Sequence, residues 1–445
     1  MPKKIVLDQP RLGVTDSTME YMVNGIRQVC EAFKNRLPGT QSERDAQAYF
    51  KAECETFADE VIMEDFAVHP KAFLGFMPIA GVFSLLSVVC FWLGGSSIAV
   101  AVIGAVLPLL ALLMFLFEFL FYQNFIDFLF PKKVSRNVYA TRKPSGEVKR
   151  RVIFGGHTDA SNEWRYSRLG GVVLLGTVMA GGIFTVLACL VASLVKLVYF
   201  IALYAGGFGA FIREDFALGK VTGGWVIWGV ILLATIPFAF AVMFFLNSRV
   251  ICDGANDNLS ANYIAMSVLR DMHGADLRFE NTEVACLLSG SEEAGLRGAK
   301  AFAKKHFDEL SDPGVETIFI AMDTMREVAE LRVCNFGCTG TVTNDKAVGD
   351  LLHAAARACG ADIPDSELYP GAVDAEAFSM FGLRSTGLTG VSHEARPYYH
   401  TREDTADNID TECIALSLNI CKETARLFDE TGMAPYDEAR AAKKK

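Results

Sequence analysis

Four stretches of this chain, 72–94, 98–117, 169–195 and 221–248, contain no Asp, Glu, Lys or Arg. A helix needs about 20 apolar residues to cross a bilayer core, and each stretch supplies them. Soluble helices of that length keep a polar face, which these lack. The stretches therefore predict four transmembrane helices. A fifth apolar segment, 197–212, is shorter and glycine-rich.

Outside these blocks the pattern is that of an α/β domain cut into pieces. Residues 16–36 and 41–57 have helical periodicity, and 61–68, 134–142 and 149–156 read as strands. From 258 to 430 helices alternate with short apolar strands at 284–288, 317–322 and 385–388. That alternation predicts a mostly parallel, mixed sheet flanked by helices. Because the pieces must join one sheet, each insertion has to return the chain to the side it left. The expected organisation is domain sequence at 1–71, 123–168 and 249–432, helical hairpins at 72–122 and 169–248, and a basic tail at 433–445. With four spans, 197–212 extends the third helix, lies at the interface or re-enters.

Lys71, Lys132, Lys133, Arg136, Arg165, Arg168 and Arg249 flank the spans on the domain side, against Arg213 and Lys220 on the other, with Lys196 if it lies there. Basic residues favour the cytoplasmic face, so the domain is expected there. The eleven cysteines have no regular spacing, and Cys334 and Cys338 lack a second Cys/His pair nearby, so they read as reduced thiols. A net charge of -10 argues against nucleic-acid binding. Residues 1–10 have no apolar run behind their two lysines and do not read as a signal peptide.

The unusual polar residues of the domain fall at strand ends. His157 and Asp159 close one strand, Asp257 sits in Gly254-Ala-Asn-Asp-Asn258, Glu292 and Glu293 follow a second strand, and Asp323 ends a third. Such ends line the ligand crevice of an open parallel sheet. Imidazole with several carboxylates suits zinc or a similar divalent ion. Singly, each has an ordinary explanation, as a helix cap or a complement to a helix dipole.

Together, Gly155-Gly-His-Thr-Asp159, Gly254-Ala-Asn-Asp-Asn-Leu-Ser260, Ser291-Glu-Glu-Ala-Gly-Leu-Arg-Gly298, Ala321-Met-Asp323 and Tyr399-His-Thr-Arg-Glu-Asp-Thr405 resemble the di-zinc aminopeptidases of metallopeptidase family twenty-eight, which also holds glutamate carboxypeptidase-like members. Arg36-Leu-Pro-Gly-Thr40 followed by Glu43 is similar to that family's opening segment. The hydrophobic insertions lie outside the resemblance.

The resemblance implies two zinc ions or similar divalent metals. Asp257 would bridge them, with His157 and Asp323 completing one site and Glu293 and His400 the other. Asp159 would hydrogen-bond the far nitrogen of His157, and Glu292 would be the general base that takes a proton from a metal-bridged water. It also implies a cis peptide between Asp257 and Asn258. Asp374, in Gly371-Ala-Val-Asp-Ala-Glu-Ala-Phe378, is the substrate-binding candidate, and Glu376 stands where the family usually has a basic or histidine residue. Glu376 would either favour a substrate with a free α-amino group or be a solvated surface side chain. The expected partners are the lipid bilayer and a peptide or amino-acid amide with hydrophobic character. The alternatives are an amidohydrolase of small or lipidated amino-acid amides, a glutaminyl-cyclase-like acyl transferase with one metal, and a non-enzymatic membrane scaffold.

Overall fold

The computed structural model describes residues 13–93, 97–205, 224–337, 340–366, 371–392 and 398–443. Contacts divide the chain into two compact units, one made of Met1–Val68, Lys133–Ser161 and Ile251–Lys445, the other of His69–Lys132 and Asn162–Val250. In chain order the strands are β1 (Glu60–Val68), β2 (Lys133–Arg142), β3 (Arg150–His157), β4 (Asn162–Trp164), β5 (Leu246–Ile251), β6 (Thr282–Ser289), β7 (Glu316–Asp323), β8 (Arg332–Cys334), β9 (Asp365–Ser366) and β10 (Ser385–Thr389).

Among the described residues, the first unit is built on an eight-stranded sheet of order β1-β2-β6-β3-β7-β10-β8-β9. The sheet is mixed. Its centre, β6-β3-β7-β10, is parallel, as is β8-β9, whereas β1-β2, β2-β6 and β10-β8 are antiparallel. Alternation sorts the strand side chains onto two faces. Val152, Phe154, Val284, Cys286, Leu288, Ile318, Ile320 and Met322 enter one core with Met22, Ile26 and Val29 of helix Asp16–Ala32 and Leu418 of helix Thr411–Thr431. On the other face Phe319 stacks on Phe378, which stacks in turn on Phe302. Strands buried on both faces read as continuous apolar runs, as those of β6 and β7 do.

Among the described residues, the second unit contains four helices long and apolar enough to cross a membrane, Ala72–Leu93, Ile98–Leu120, Arg165–Ala202 and Gly224–Met243. Their exposed positions are large and apolar, among them Leu86, Leu93, Ile103, Phe184, Val198 and Ile227. Their buried positions include Ser84, Ser87, Thr185, Ser193 and Thr235. Ser87 Oγ donates to the Gly104 carbonyl at 2.7 Å and faces Ser193 Oγ at 3.2 Å, and Thr185 Oγ1 donates to Gly181 and Thr235 carbonyls. Small residues allow close helix approach: a Cβ on Gly181 would stand 2.1 Å from the Phe238 ring, and one on Gly81 2.3 Å from Met243. The outward positions are apolar, and the packing between helices combines these small and hydroxyl-bearing residues with large apolar ones such as Val88, Phe91 and Leu232.

Two details differ from the uncharged blocks. The second helix passes beyond residue 117 as a π-helical turn, Phe115–Leu120, and its buried Glu118 accepts from the Phe125 and Ile126 N–H groups. The third stretch is continuous to Ala205 but broken at Gly170 and Gly171, the latter with φ of 59°. Residues 197–205 therefore extend the third helix, whereas 206–212, like Arg213, Lys220 and Cys338, lie outside the described residues. β4 and β5 pair as a separate two-stranded ribbon.

Candidate metal centre

Because β6, β3, β7 and β10 run parallel, their C-terminal ends meet at one edge of the sheet. His157, the last residue of β3, is in register with Ser289 at the end of β6, and Asp323, the last of β7, with Thr389 at the end of β10. Asp257 is brought to this edge by the turn that opens helix Ser260–Gly274. The polar residues of Asn256–Asn262 hold that turn: Asn258 Nδ2 donates to the Met322 carbonyl at 2.9 Å, Ser260 Oγ accepts from Met325 N–H at 3.2 Å, and Asn262 Nδ2 donates to the His157 carbonyl at 2.6 Å. The Asp257–Asn258 peptide is cis.

Around Asp257 the side chains converge. Its Oδ1 lies 3.0 Å from His157 Nε2 and its Oδ2 3.1 Å from His400 Nε2. His157 Nε2 is 3.8 Å from Asp323 and 3.7 Å from Glu292, and His400 Nε2 is 3.6 Å from Glu293. His157, Asp257 and Asp323 present ligand atoms within 4.8 Å of one another, and so do Asp257, Glu293 and His400, and His157, Glu292 and Glu293. Asp257 thus offers one carboxylate oxygen to each of two triads.

The donor set fits a divalent cation. His157 Nδ1 faces the Asp159 carbonyl at 3.2 Å, a contact that places the ring proton on Nδ1 and leaves the Nε2 lone pair turned toward the carboxylates. Among the described residues Glu293 Oε1 is buried without a hydrogen-bond partner, and His157 Nε2 is buried against carboxylate oxygens alone. Burial pushes the Glu292 carboxyl well above the usual range, opposed by His157 and reinforced by Glu293, Asp374 and Asp323. Burial also carries Glu293 up to about 7, against the pull of His400, and lifts Asp323, with Asp257 adding to the rise. His400 is lowered by burial, but Glu293 and Asp257 bring it up to about 9. These rises come from burying several carboxylates together, while His157 and His400 hold Asp257 low, and a dication would balance that accumulated negative charge.

Asp159 makes contacts beyond the one the resemblance implies, which is with the far nitrogen of His157. Its carboxylate is 3.5 Å from the His157 ring, but its hydrogen bonds go to the backbone N–H groups of Glu292 and Glu293, each at 3.0 Å. It fixes the position of both glutamates as well as the imidazole. Asp374 Oδ2 accepts from Ser289 Oγ, while its buried Oδ1 has no partner among the described residues. Glu376 is neither solvated nor open to a substrate. It is buried, with Oε2 accepting from Val373 N–H at 2.7 Å and Oε1 from Asn344 Nδ2 at 3.1 Å, and so caps helix Asp374–Ser379 from within.

Asp404 carries a role that its motif does not announce. Its Oδ1 accepts from the Asn256 N–H at 2.7 Å and its Oδ2 from the Asp257 N–H at 3.2 Å, which fixes the backbone under the shared ligand. Burial, and then the Asp257 charge, pushes Asp404 up to about 7. The residues around the ligands are held in left-handed backbone conformations: Ser291 (φ 53°) before Glu292, Thr324 (φ 49°) after Asp323, and His400 itself (φ 50°). Such non-glycine positions cost about 1–2 kcal/mol each and persist where the surroundings over-determine them.

Gly290, just before this turn, packs without room for a side chain. A Cβ there would lie 2.4 Å from the Arg136 carbonyl oxygen and 2.5 Å from Gln47 Nε2. Gly290→Ala is expected to destabilise the unit by about 1–3 kcal/mol through overpacking against backbone. A thermal midpoint in detergent equal to that of the parent would contradict this packing.

Residues 241–425 match Peptidase family M28. No curated protein matches the chain. Among solved structures, an aminopeptidase from Aneurinibacillus sp. strain AM-1 shares 14% identity and a TM-score of 0.52, over 92% of this chain and 93% of that one. A zinc aminopeptidase from Bacillus subtilis shares 13% identity with a TM-score of 0.52, over 93% and 95%. A glutaminyl cyclase from an Acidobacteriales bacterium shares 11% identity with a TM-score of 0.52, over 97% and 100%. These structures share the fold.

Proposed function

We propose that this chain, whose M28 match and fold support a zinc metallopeptidase, is a membrane-embedded aminopeptidase-like hydrolase with two zinc ions. The observation that carries the reading is the placement of the two Asp257 oxygens, one against His157 and one against His400. His157, Asp257 and Asp323 would hold one ion, and Asp257, Glu293 and His400 the other. Three protein ligands for each ion would match catalytic rather than structural zinc, whose sites are closed by four. Bound there, the ions supply Lewis acidity toward the scissile carbonyl and lower the pKa of water.

Glu292 stands beside this set without belonging to either triad that shares Asp257. Its carboxylate takes the proton of the attacking water and returns it to the leaving amine. Asp159 keeps Glu292 and its neighbour Glu293 in register through their N–H groups, and Asp404 does the same for Asp257. The buried oxygen of Asp374 is the polar group proposed to meet the substrate beyond the scissile bond.

The apolar exterior of the four long helices, with serine and threonine turned inward, supports two spanning hairpins. The excess of lysine and arginine at 71, 132, 133, 136, 165, 168 and 249 favours a catalytic unit on the cytoplasmic side. Only residues 160–168 and 249–256 lead from Asp159 and to Asp257 from the third and fourth spans, so a substrate that partitions into the bilayer is the preferred class.

The test is a substrate screen of detergent-purified protein with zinc and with a chelator, using amides matched in scissile bond but differing in hydrophobic tail. Zinc-dependent hydrolysis that rises with tail length is expected. No hydrolysis of any peptide or aminoacyl amide would reject the enzyme reading. Hydrolysis indifferent to the tail would leave the hairpins as anchors alone.

A further inference from the structure

The segment from Arg36 to Gln47 takes no part in the chemistry above, yet it grips three of the loops that present the ligands. We propose that Arg36 and Glu43 are positioning residues, which set the geometry of the metal centre from behind. This inference rests on the metallopeptidase reading.

Arg36 is 1% exposed, and its guanidinium spends its donors on backbone. Nε donates to the Thr158 carbonyl at 3.2 Å, Nη2 to the Asp253 carbonyl at 2.6 Å and the Gly254 carbonyl at 3.5 Å, and Nη1 to the Phe33 carbonyl at 3.2 Å. The Arg36 carbonyl in turn accepts from Ala160 N–H at 3.0 Å. One side chain thereby joins the loop carrying His157 and Asp159 to the turn leading into Asp257. A lysine ammonium is a point donor on a flexible stem and cannot reproduce that planar fork.

Glu43 reaches the third loop. Its Oε1 accepts from Ser291 N–H at 2.7 Å, Ser291 Oγ at 3.0 Å and Ser135 Oγ at 2.8 Å, and its Oε2 from Gly39 N–H at 2.6 Å. Thr40 caps the helix Gln41–Cys54 by accepting from Glu43 N–H at 3.2 Å, so the local sequence has the form of a capping box. In a capping box the glutamate would turn back to the Thr40 N–H. Here that N–H goes to the Leu37 carbonyl at 3.0 Å, and the carboxylate is released to bind residues 92 and 248 positions away. Its main target, Ser291, is the left-handed residue that aims Glu292 and Glu293. Gln47, one turn further on, adds a bond from Nε2 to Thr158 Oγ1 at 2.9 Å.

Groups that hold first ligands in place are worth about 10- to 100-fold in metal affinity. A segment that merely supports the fold would affect stability alone. The deciding experiment uses the full chain in detergent and compares the parent with Glu43→Gln, Arg36→Met and Arg36→Lys, together with Leu418→Ala, a buried core change outside the centre. Zinc dissociation constants are measured by competition with a chromogenic chelator, and cobalt(II) is substituted to record the visible bands that report ligand geometry. Glu43→Gln and Arg36→Met are expected to raise the zinc dissociation constant about 10- to 100-fold and to change the cobalt spectrum, with Arg36→Lys restoring part of both. Leu418→Ala should lower the thermal midpoint and leave both readouts at parent values. If Glu43→Gln and Arg36→Lys lower the midpoint but keep the parent's zinc affinity and cobalt bands, the segment is structural and the proposal is overturned. Should Arg36→Met fail to fold, those two variants still decide. A parent protein that takes up no metal would overturn the metallopeptidase reading itself, before any variant is compared, and this inference with it.

Discussion

Glu292→Gln should reduce turnover by about 100- to 10,000-fold while the zinc content stays at the parent value. The amide is nearly the same size as the carboxylate, so the backbone bonds from Glu292 and Glu293 N–H to Asp159 survive the change. What is lost is a group that can accept a proton. At 1.36 kcal/mol per factor of ten, the expected loss corresponds to a barrier raised by about 3–5 kcal/mol. Binding of a ground-state substrate should change little, so kcat falls and KM moves by far less. Parent-level hydrolysis by the variant would remove Glu292 from the role of base. Loss of metal along with activity would instead make Glu292 a ligand, as the third cluster of His157, Glu292 and Glu293 allows.

The parts of this protein that could be read from its sequence are those whose cause is local. The four long helices follow from composition alone, because the absence of charge over about 20 residues is visible without any partner. His157, Asp257, Glu293 and Asp323 were legible as candidates because each is a polar residue set against an apolar strand or in a short glycine- or asparagine-rich turn, whereas His400 was legible only through the resemblance of Tyr399–Thr405 to the family motif. Asp404 was not, since its partners are the N–H groups of Asn256 and Asp257, nearly 150 residues away. Glu43 was obscured in a different manner: the Thr40–Glu43 spacing has a complete local explanation as a helix cap, and only the fold shows the carboxylate turned to Ser291. Glu376 fell the same way in reverse, for its burial and its bond to Val373 N–H are set by the packing of a six-residue helix. The break at Gly170–Gly171 and the π-helical turn holding Glu118 were hidden because an uncharged run looks uniform and its end is marked only by the first charge. Glu118 is satisfied by its own following turn, so the helix continues past the point where its composition would end it.

Asp257→Asn should lower the bound zinc at both positions together and bring activity down by at least the loss expected for Glu292→Gln. Both oxygens of Asp257 face an imidazole nitrogen, at 3.0 and 3.1 Å. Replacing one oxygen with an amide nitrogen puts a donor where one ion would sit and removes the negative charge that both share. The side chain itself should stay in place, because Asp404 holds the Asp257 N–H and Asn258 is tied to Met322. The change is therefore one of chemistry at an intact fold. Metal equivalents per chain after dialysis give the first measure, and the zinc-induced rise in thermal midpoint gives the second. Zinc that binds only the folded protein stabilises it by about 2.7 kcal/mol at a hundredfold excess over its dissociation constant, and the variant should forfeit most of that gain. His400→Gln provides the contrast, since His400 contributes to the triad with Glu293 and not to the one with Asp323. That variant should lose one equivalent and keep the other. If Asp257→Asn likewise retains a full equivalent at parent affinity, the carboxylate does not bridge, and the centre is two separate sites or a single one.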